Sequence, residues 1–270
     1  MHQGGTGSVK GVARSAVQIQ RDVIYALLLR EIGAQFGRSR VGALWVLVEP
    51  VAHLVFPILM FGFIRQRVVP GAEYPVFLVY GFMPFLLFKS ICLQTMEGTR
   101  ANRGLLSYRQ VLLMDVFVAK ALATCMVQAI VYAVVLGGLA MLDFDVLPAR
   151  PVEFAGVLAL TVALAFGLGL LFAGLCSFVP DARSVIRVLF IPLYFISGIL
   201  FPISRFPDEW VRWLALNPVL QLVEMSRLTG LERYEAMKFL DIGYPIGLAL
   251  VALFMGLAMY RLRYLARVTT

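Results

Sequence analysis

Glu49 and His53 stand four residues apart in a stretch that is otherwise apolar. On a helix this spacing places a carboxylate and an imidazole on one face, within reach of each other. At membrane depth such groups need shielding by protein or water, since insertion of an acid at a helix centre costs about +2.5 to +3.5 kcal/mol. Three roles fit the pair: proton transfer, hydrogen bonds to neighbouring helices, or the lining of a polar pathway. Little else in the chain could do covalent or metal chemistry. Cys92, Cys125 and Cys176 lie in apolar runs without metal-ligand spacing and read as small buried hydrophobes, and the other histidine, His2, is terminal. No metal site is expected. No GxxxxGK followed by Ser or Thr occurs, so the chain is expected to bind no nucleotide cofactor, and no catalytic cluster marks it as an enzyme.

The elements that must hold these residues are membrane helices. The 270 residues are 60% hydrophobic, with a mean hydropathy of +0.84. An apolar run of about 20 residues crosses a bilayer as a helix, and such runs recur along the whole chain. They predict an all-α integral membrane domain over 41–270, with spans at 41–64, 74–92, 116–142, 152–178, 185–203 and 242–260. Gly167, Gly169 and Gly174 in the fourth span would allow close helix approach. No cleavable leader is expected, because the first long apolar run begins only near Leu44 behind a basic segment.

Charge sets the orientation. With Lys89, Lys120 and Arg187 counted to the side of the span end they lie near, sixteen of the 24 Lys and Arg residues belong to one side of this arrangement and eight to the other, which makes the first side and both termini cytoplasmic. The basic excess is spread over separate loops, which argues against nucleic acid as a partner.

Outside the spans three segments have their own pattern. Residues 1–20 begin Gly-rich and polar and are expected to be flexible. Over 21–40, Ile24, Leu28, Ile32 and Phe36 recur at four-residue spacing with Arg30 opposite, which predicts an amphipathic helix in the cytoplasmic interface. The connector 96–115 carries Leu105, Leu106 and Tyr108 among basic residues, suited either to a partner surface or to the headgroup layer. Between the last two spans, 209–216 and 219–228 read as two short outer helices, started by Asp208 and by Asn217-Pro218. They are too short to cross and carry Trp210 and Trp213, so they read as re-entrant or surface helices framing a pathway. Aromatic residues concentrate in spans one, two and five; they suit belt and core packing, or a surface along which sugars slide.

The order Arg30-Glu31, Arg38 to Arg40, Leu44-Trp45 and Glu49-Pro50 resembles the ABC-2 type membrane subunits that export polysaccharides. Asn102 with Gly104-Leu105, Tyr108-Arg109, Pro192-Leu193-Tyr194-Phe195-Ile196-Ser197, Phe201-Pro202, Trp213, Asn217-Pro218, Val223-Glu224 and Ser226-Arg227 are similar to the capsular polysaccharide permeases of Gram-negative bacteria, the KpsM type. The likeness runs from about Gln20 to near the end of the chain.

The resemblance implies an inner-membrane permease subunit that exports a lipid-anchored acidic capsular polysaccharide. Its partners would be a second copy, two cytoplasmic ATPase subunits holding ATP and Mg, and periplasmic and outer-membrane export proteins. Trp45, Glu49, His53, Tyr80, Tyr194, Phe195 and Phe201 would line the channel. Tyr25, Arg30, Glu31, Asn102, Leu105, Leu106, Tyr108 and Arg109 would couple it to the ATPase. Trp210, Trp213, Asn217 and Pro218 would belong to the outer helices. Two other readings stay open: the same scaffold exporting O-antigen or teichoic acid, and a proton-coupled secondary transporter using Glu49 and His53. The second has thin support, since no inverted repeat is evident.

Overall fold

The computed structural model describes residues 16–36, 48, 51–60, 71–101 and 112–268. Among them the elements are α1 (Ala16–Phe36), α3 (Tyr74–Ala101), α4 (Leu113–Ala140), α5 (Pro151–Phe178), α6 (Ala182–Ile196), a short 3-10 turn (Ile203–Arg205), α7 (Asp208–Leu214), α8 (Pro218–Gly230) and α9 (Gly243–Val268). A shorter apolar helix, α2, covers Val51–Met60. Among the described residues, four helices are long and apolar enough to cross a membrane: Tyr74–Gly98, Leu113–Ala140, Pro151–Phe178 and Gly243–Leu262. They correspond to the predicted spans two, three, four and six.

The α3 helix is the centre of the bundle. Its apolar window is 83% buried against 22% for α9, because α4, α5, α6 and α8 all pack on it. Pro84 lies inside α3 and has no N–H to give the carbonyl of Tyr80 one turn earlier. The Ser226 hydroxyl of α8 donates to that carbonyl instead, at 2.7 Å. A helix-breaking residue thus leaves an acceptor that ties α8 to α3.

Close approach between α5 and α9 depends on Gly167. A Cβ there would lie 2.6 Å from the Leu253 backbone nitrogen, so only a glycine lets the two backbones meet. The expectation for Gly169 and Gly174 holds as well: Cβ atoms would fall 2.7 Å from Thr95 and 2.9 Å from Met259. Cys92 and Cys176 are buried, Cys125 is half-buried, and all three thiols are free.

Two boundaries differ from the sequence reading. The helix expected over 21–40 begins at Ala16, inside the segment expected to be flexible. The fifth apolar segment is helical only to Ile196, not to residue 203. It stops because Gly198 adopts φ 63, and a Cβ at that position would meet Ile203 at 2.5 Å. Of the predicted first span, only Val48 and α2 are among the described residues.

Candidate translocation site between helices α2, α3 and α6

Three helices each contribute a stripe at helical spacing to one cavity of about 530 Å³: His53, Phe56 and Pro57 from α2, Phe85 and Lys89 from α3, and Arg187, Phe190, Ile191, Tyr194 and Phe195 from α6. The rings meet mostly at their edges. His53 lies 5.8 Å from Phe82 and 6.1 Å from Tyr194, both steeply inclined. Tyr194 lies 5.4 Å from Phe85 and 5.2 Å from Phe195. Such packing leaves ring edges and faces toward the space without fixed hydrogen-bond geometry. The cavity has a charged end, where Lys89 and Arg187 stand; Arg187 also donates to Glu97 at 2.8 Å. His53 and Lys89 are shared with a second, more polar cavity of about 440 Å³ on the side of α1 and α4.

His53, Tyr194 and Phe195, all expected at the channel, are therefore brought together. Tyr80 is not with them. It is 1% exposed, its hydroxyl donates to the Val146 carbonyl at 3.0 Å, and its ring packs edge-on against Phe154. Phe201 instead packs on Phe206 at 5.6 Å, beside the small outer core around Ile203 and Val211. Trp45 and Glu49 lie outside the described residues, as do Asn102, Leu105, Leu106, Tyr108 and Arg109 of the expected coupling surface.

On α1, Tyr25 and Arg30 are exposed, while Glu31 turns inward to an ion pair with Lys120 of α4. Gln20 donates to Asp115, and Leu27 is buried against Val116 and Ala119, so α1 is held to the first turns of α4 by two polar links and one apolar contact. The same Asp115 carboxylate accepts the Leu112 N–H at 3.0 Å, closing the start of α4.

The two short helices α7 and α8 divide by burial. α7 buries Val211 but exposes Trp210 and Trp213, whereas α8 is buried along almost its whole length. Asn217 caps α8 by accepting the Val219 N–H at 3.0 Å, with Pro218 in the first turn where its missing N–H costs nothing. Its amide also donates to the Ser197 hydroxyl at 3.0 Å.

Residues 22–230 match the family model described as ABC-2 type transporter. The chain belongs to the ABC-2 type transporter family. It is 35% identical over 259 residues to the polysialic acid transport protein KpsM of Escherichia coli, covering 96% of this chain and 100% of that one. It is 28% identical to the capsule polysaccharide export inner-membrane protein CtrC of Neisseria meningitidis, over 77% and 79% of the two chains. With BexB of Haemophilus influenzae, a protein of the same description, it shares 25% identity over 93% and 95%. As an ABC-2 family member the chain is a membrane transport protein, not an enzyme.

This ABC-2 chain carries charged groups in its helices that the sequence reading did not assign. Lys89 and Lys120 stand inside apolar helices, and a lone cation at that depth signals a partner or a ligand. Glu224 and Arg227 had entered only through the resemblance; both are 0% exposed and bond to each other at 3.0 Å. Their i, i+3 spacing in an apolar run was a usable signal. Glu224 also accepts from the Tyr234 hydroxyl and the Met237 N–H. Burial, and then the Glu224 charge, push the Tyr234 phenol well above its ordinary range, so it stays a donor.

Proposed function

We propose that the chain is the permease subunit of an ABC exporter that carries lipid-anchored acidic capsular polysaccharide across the bacterial inner membrane. The observation that carries this reading is the α2–α3–α6 cavity, where the rings of His53, Phe85, Tyr194 and Phe195 adjoin the cations Lys89 and Arg187. Ring faces suit passing sugars and the cations suit their acidic groups. The named activities of KpsM, CtrC and BexB point the same way.

In this reading the apolar segments that contain α2 and α6 supply the two further crossings, which makes six with both termini in the cytoplasm. Two copies pair, each bound to a cytoplasmic ATPase subunit that holds ATP and Mg, and periplasmic and outer-membrane proteins receive the polymer. ATP binding pushes α1 and the connector around Leu105 and Tyr108, and the motion passes to α4 through Glu31 and Lys120. Trp45 and Glu49 join His53 along the path, and α7 and α8 cover its outer end.

The test is complementation. A capsule-producing strain lacking its own permease receives this chain together with the ATPase that co-purifies with it, and surface polymer is measured. Capsule restored by the wild type, and lost when Leu105 and Tyr108 are both changed to Ala, supports the reading. Export of O-antigen but not capsule would reassign the cargo, and transport by the chain alone under a proton gradient would replace the mechanism.

A further inference from the structure

The second cavity, of about 440 Å³, is built differently from the aromatic one. Gln35 of α1, Lys89, Ser90 and Gln94 of α3, and Thr124 and Gln128 of α4 line it, together with His53. Gln128 is 8% exposed; its amide nitrogen donates to the Ser90 hydroxyl at 3.0 Å, but its carbonyl oxygen has no partner. The amide nitrogen of Gln35 is likewise buried without a partner. Buried polar atoms are nearly always satisfied, so an unmet donor and an unmet acceptor lining one cavity favour water or a polar ligand in it. Lys89, half-buried in the same wall, has no carboxylate partner among the described residues.

These groups define the ligand. The ammonium of Lys89 and the Gln35 amide N–H call for an anion. The Gln128 carbonyl calls for a donor, which a hydroxyl supplies. We propose that this cavity is a recognition site for a hydroxyl-bearing anion at the start of the exported molecule. That anion is either a sugar unit with a carboxylate or the polyol phosphodiester of the lipid anchor. The site rests on the permease reading and deepens it, since His53 and Lys89 open on both cavities. A ligand bound here also bridges α1 to α3 and α4, so an occupied site stiffens the link to the helix nearest the ATPase.

The experiment uses the full-length chain with its ATPase in nanodiscs. Binding is measured for soluble sialic acid oligomers in phosphatidylcholine discs, and for phosphatidylglycerol added to the same discs without oligomer. The variants are Gln128→Leu and Lys89→Met. Gln128→Leu gives up the bond to Ser90 as well as the unmet oxygen, so a small loss of stability is expected and binding is compared on folded protein only. Binding is expected to weaken at least tenfold, while the fold and the assembly with the ATPase persist. Loss confined to the oligomer assigns the sugar, and loss confined to phosphatidylglycerol assigns the anchor. No binding of either probe to the wild type, or binding unchanged in both variants, overturns the site. If the variants also support full capsule export, the site falls while the permease stands. Failure of the wild type in complementation would instead remove the permease reading.

Discussion

The guanidinium carbon of Arg227 lies 3.7 Å from the centroid of the Phe77 ring. This contact joins α8 to the most buried of the four long helices. The same side chain donates to the carbonyls of Gly198 at 2.9 Å and Ile199 at 2.7 Å and to Glu224 at 3.0 Å, so its charge is met on every side.

Removing one partner of such a pair leaves a buried charge. Arg227→Met is expected to destabilise the chain by about 3–5 kcal/mol, because the Glu224 carboxylate loses its counter-charge. The double change Arg227→Met with Glu224→Gln should recover part of that loss. Thermal unfolding of the four proteins in detergent, read as a double-mutant cycle, checks the coupling.

The pair between Glu31 and Lys120 makes a second cycle with a different readout. Glu31→Lys alone is expected to loosen α1 from α4 and to lower export severalfold, and Lys120→Glu added to it should restore part of both. Cysteines placed on α1 and α4 for cross-linking report the loosening independently of transport.

Gly167→Leu is expected to force α5 away from α9, since even a Cβ there meets backbone at 2.6 Å. Overpacking of this kind costs about 1–3 kcal/mol or more where the obstacle is backbone. A fall in the unfolding midpoint together with poor expression is the outcome to look for. Gly156→Ala, where a Cβ meets nothing within 4 Å, serves as the matched control.

Tyr194 tests the aromatic cavity. Tyr194→Ala removes the ring that touches His53, Phe82, Phe85 and Phe195, and export is expected to drop several-fold while assembly with the ATPase persists. Tyr194→Phe keeps the ring and should keep most of the export. Equal loss in both would shift the role from ring surface to hydroxyl.

The long apolar helices were legible because hydropathy over about 20 residues is a strong signal, and α3, α4, α5 and α9 lie close to where it puts them. The starts of α7 and α8 were legible too, since Asp208 and Asn217-Pro218 are start signals that need no tertiary information. The end of α6 was not. Ser197 and Gly198 extend the same apolar run, and only the packing of Gly198 against Ile203 shows the turn. Tyr80 is a related case: an aromatic residue in a span reads alike whether it faces a path or, as its side chain does here, is buried among its neighbours. Lys89 and Lys120 give little signal in the sequence because apolar neighbours dilute a single cation in any windowed average. What each faces is a matter of three dimensions.

The turn after α6 is gripped from two directions. Asn217 holds the Ser197 hydroxyl, and Arg227 holds the next two carbonyls, both from the buried helix α8. A lever fastened at one tip swings most at the other. In the proposed export reading, a tilt of α6 about this turn would change the gap least beside Leu200 and most beside Arg187, once the bond from Arg187 to Glu97 lets go.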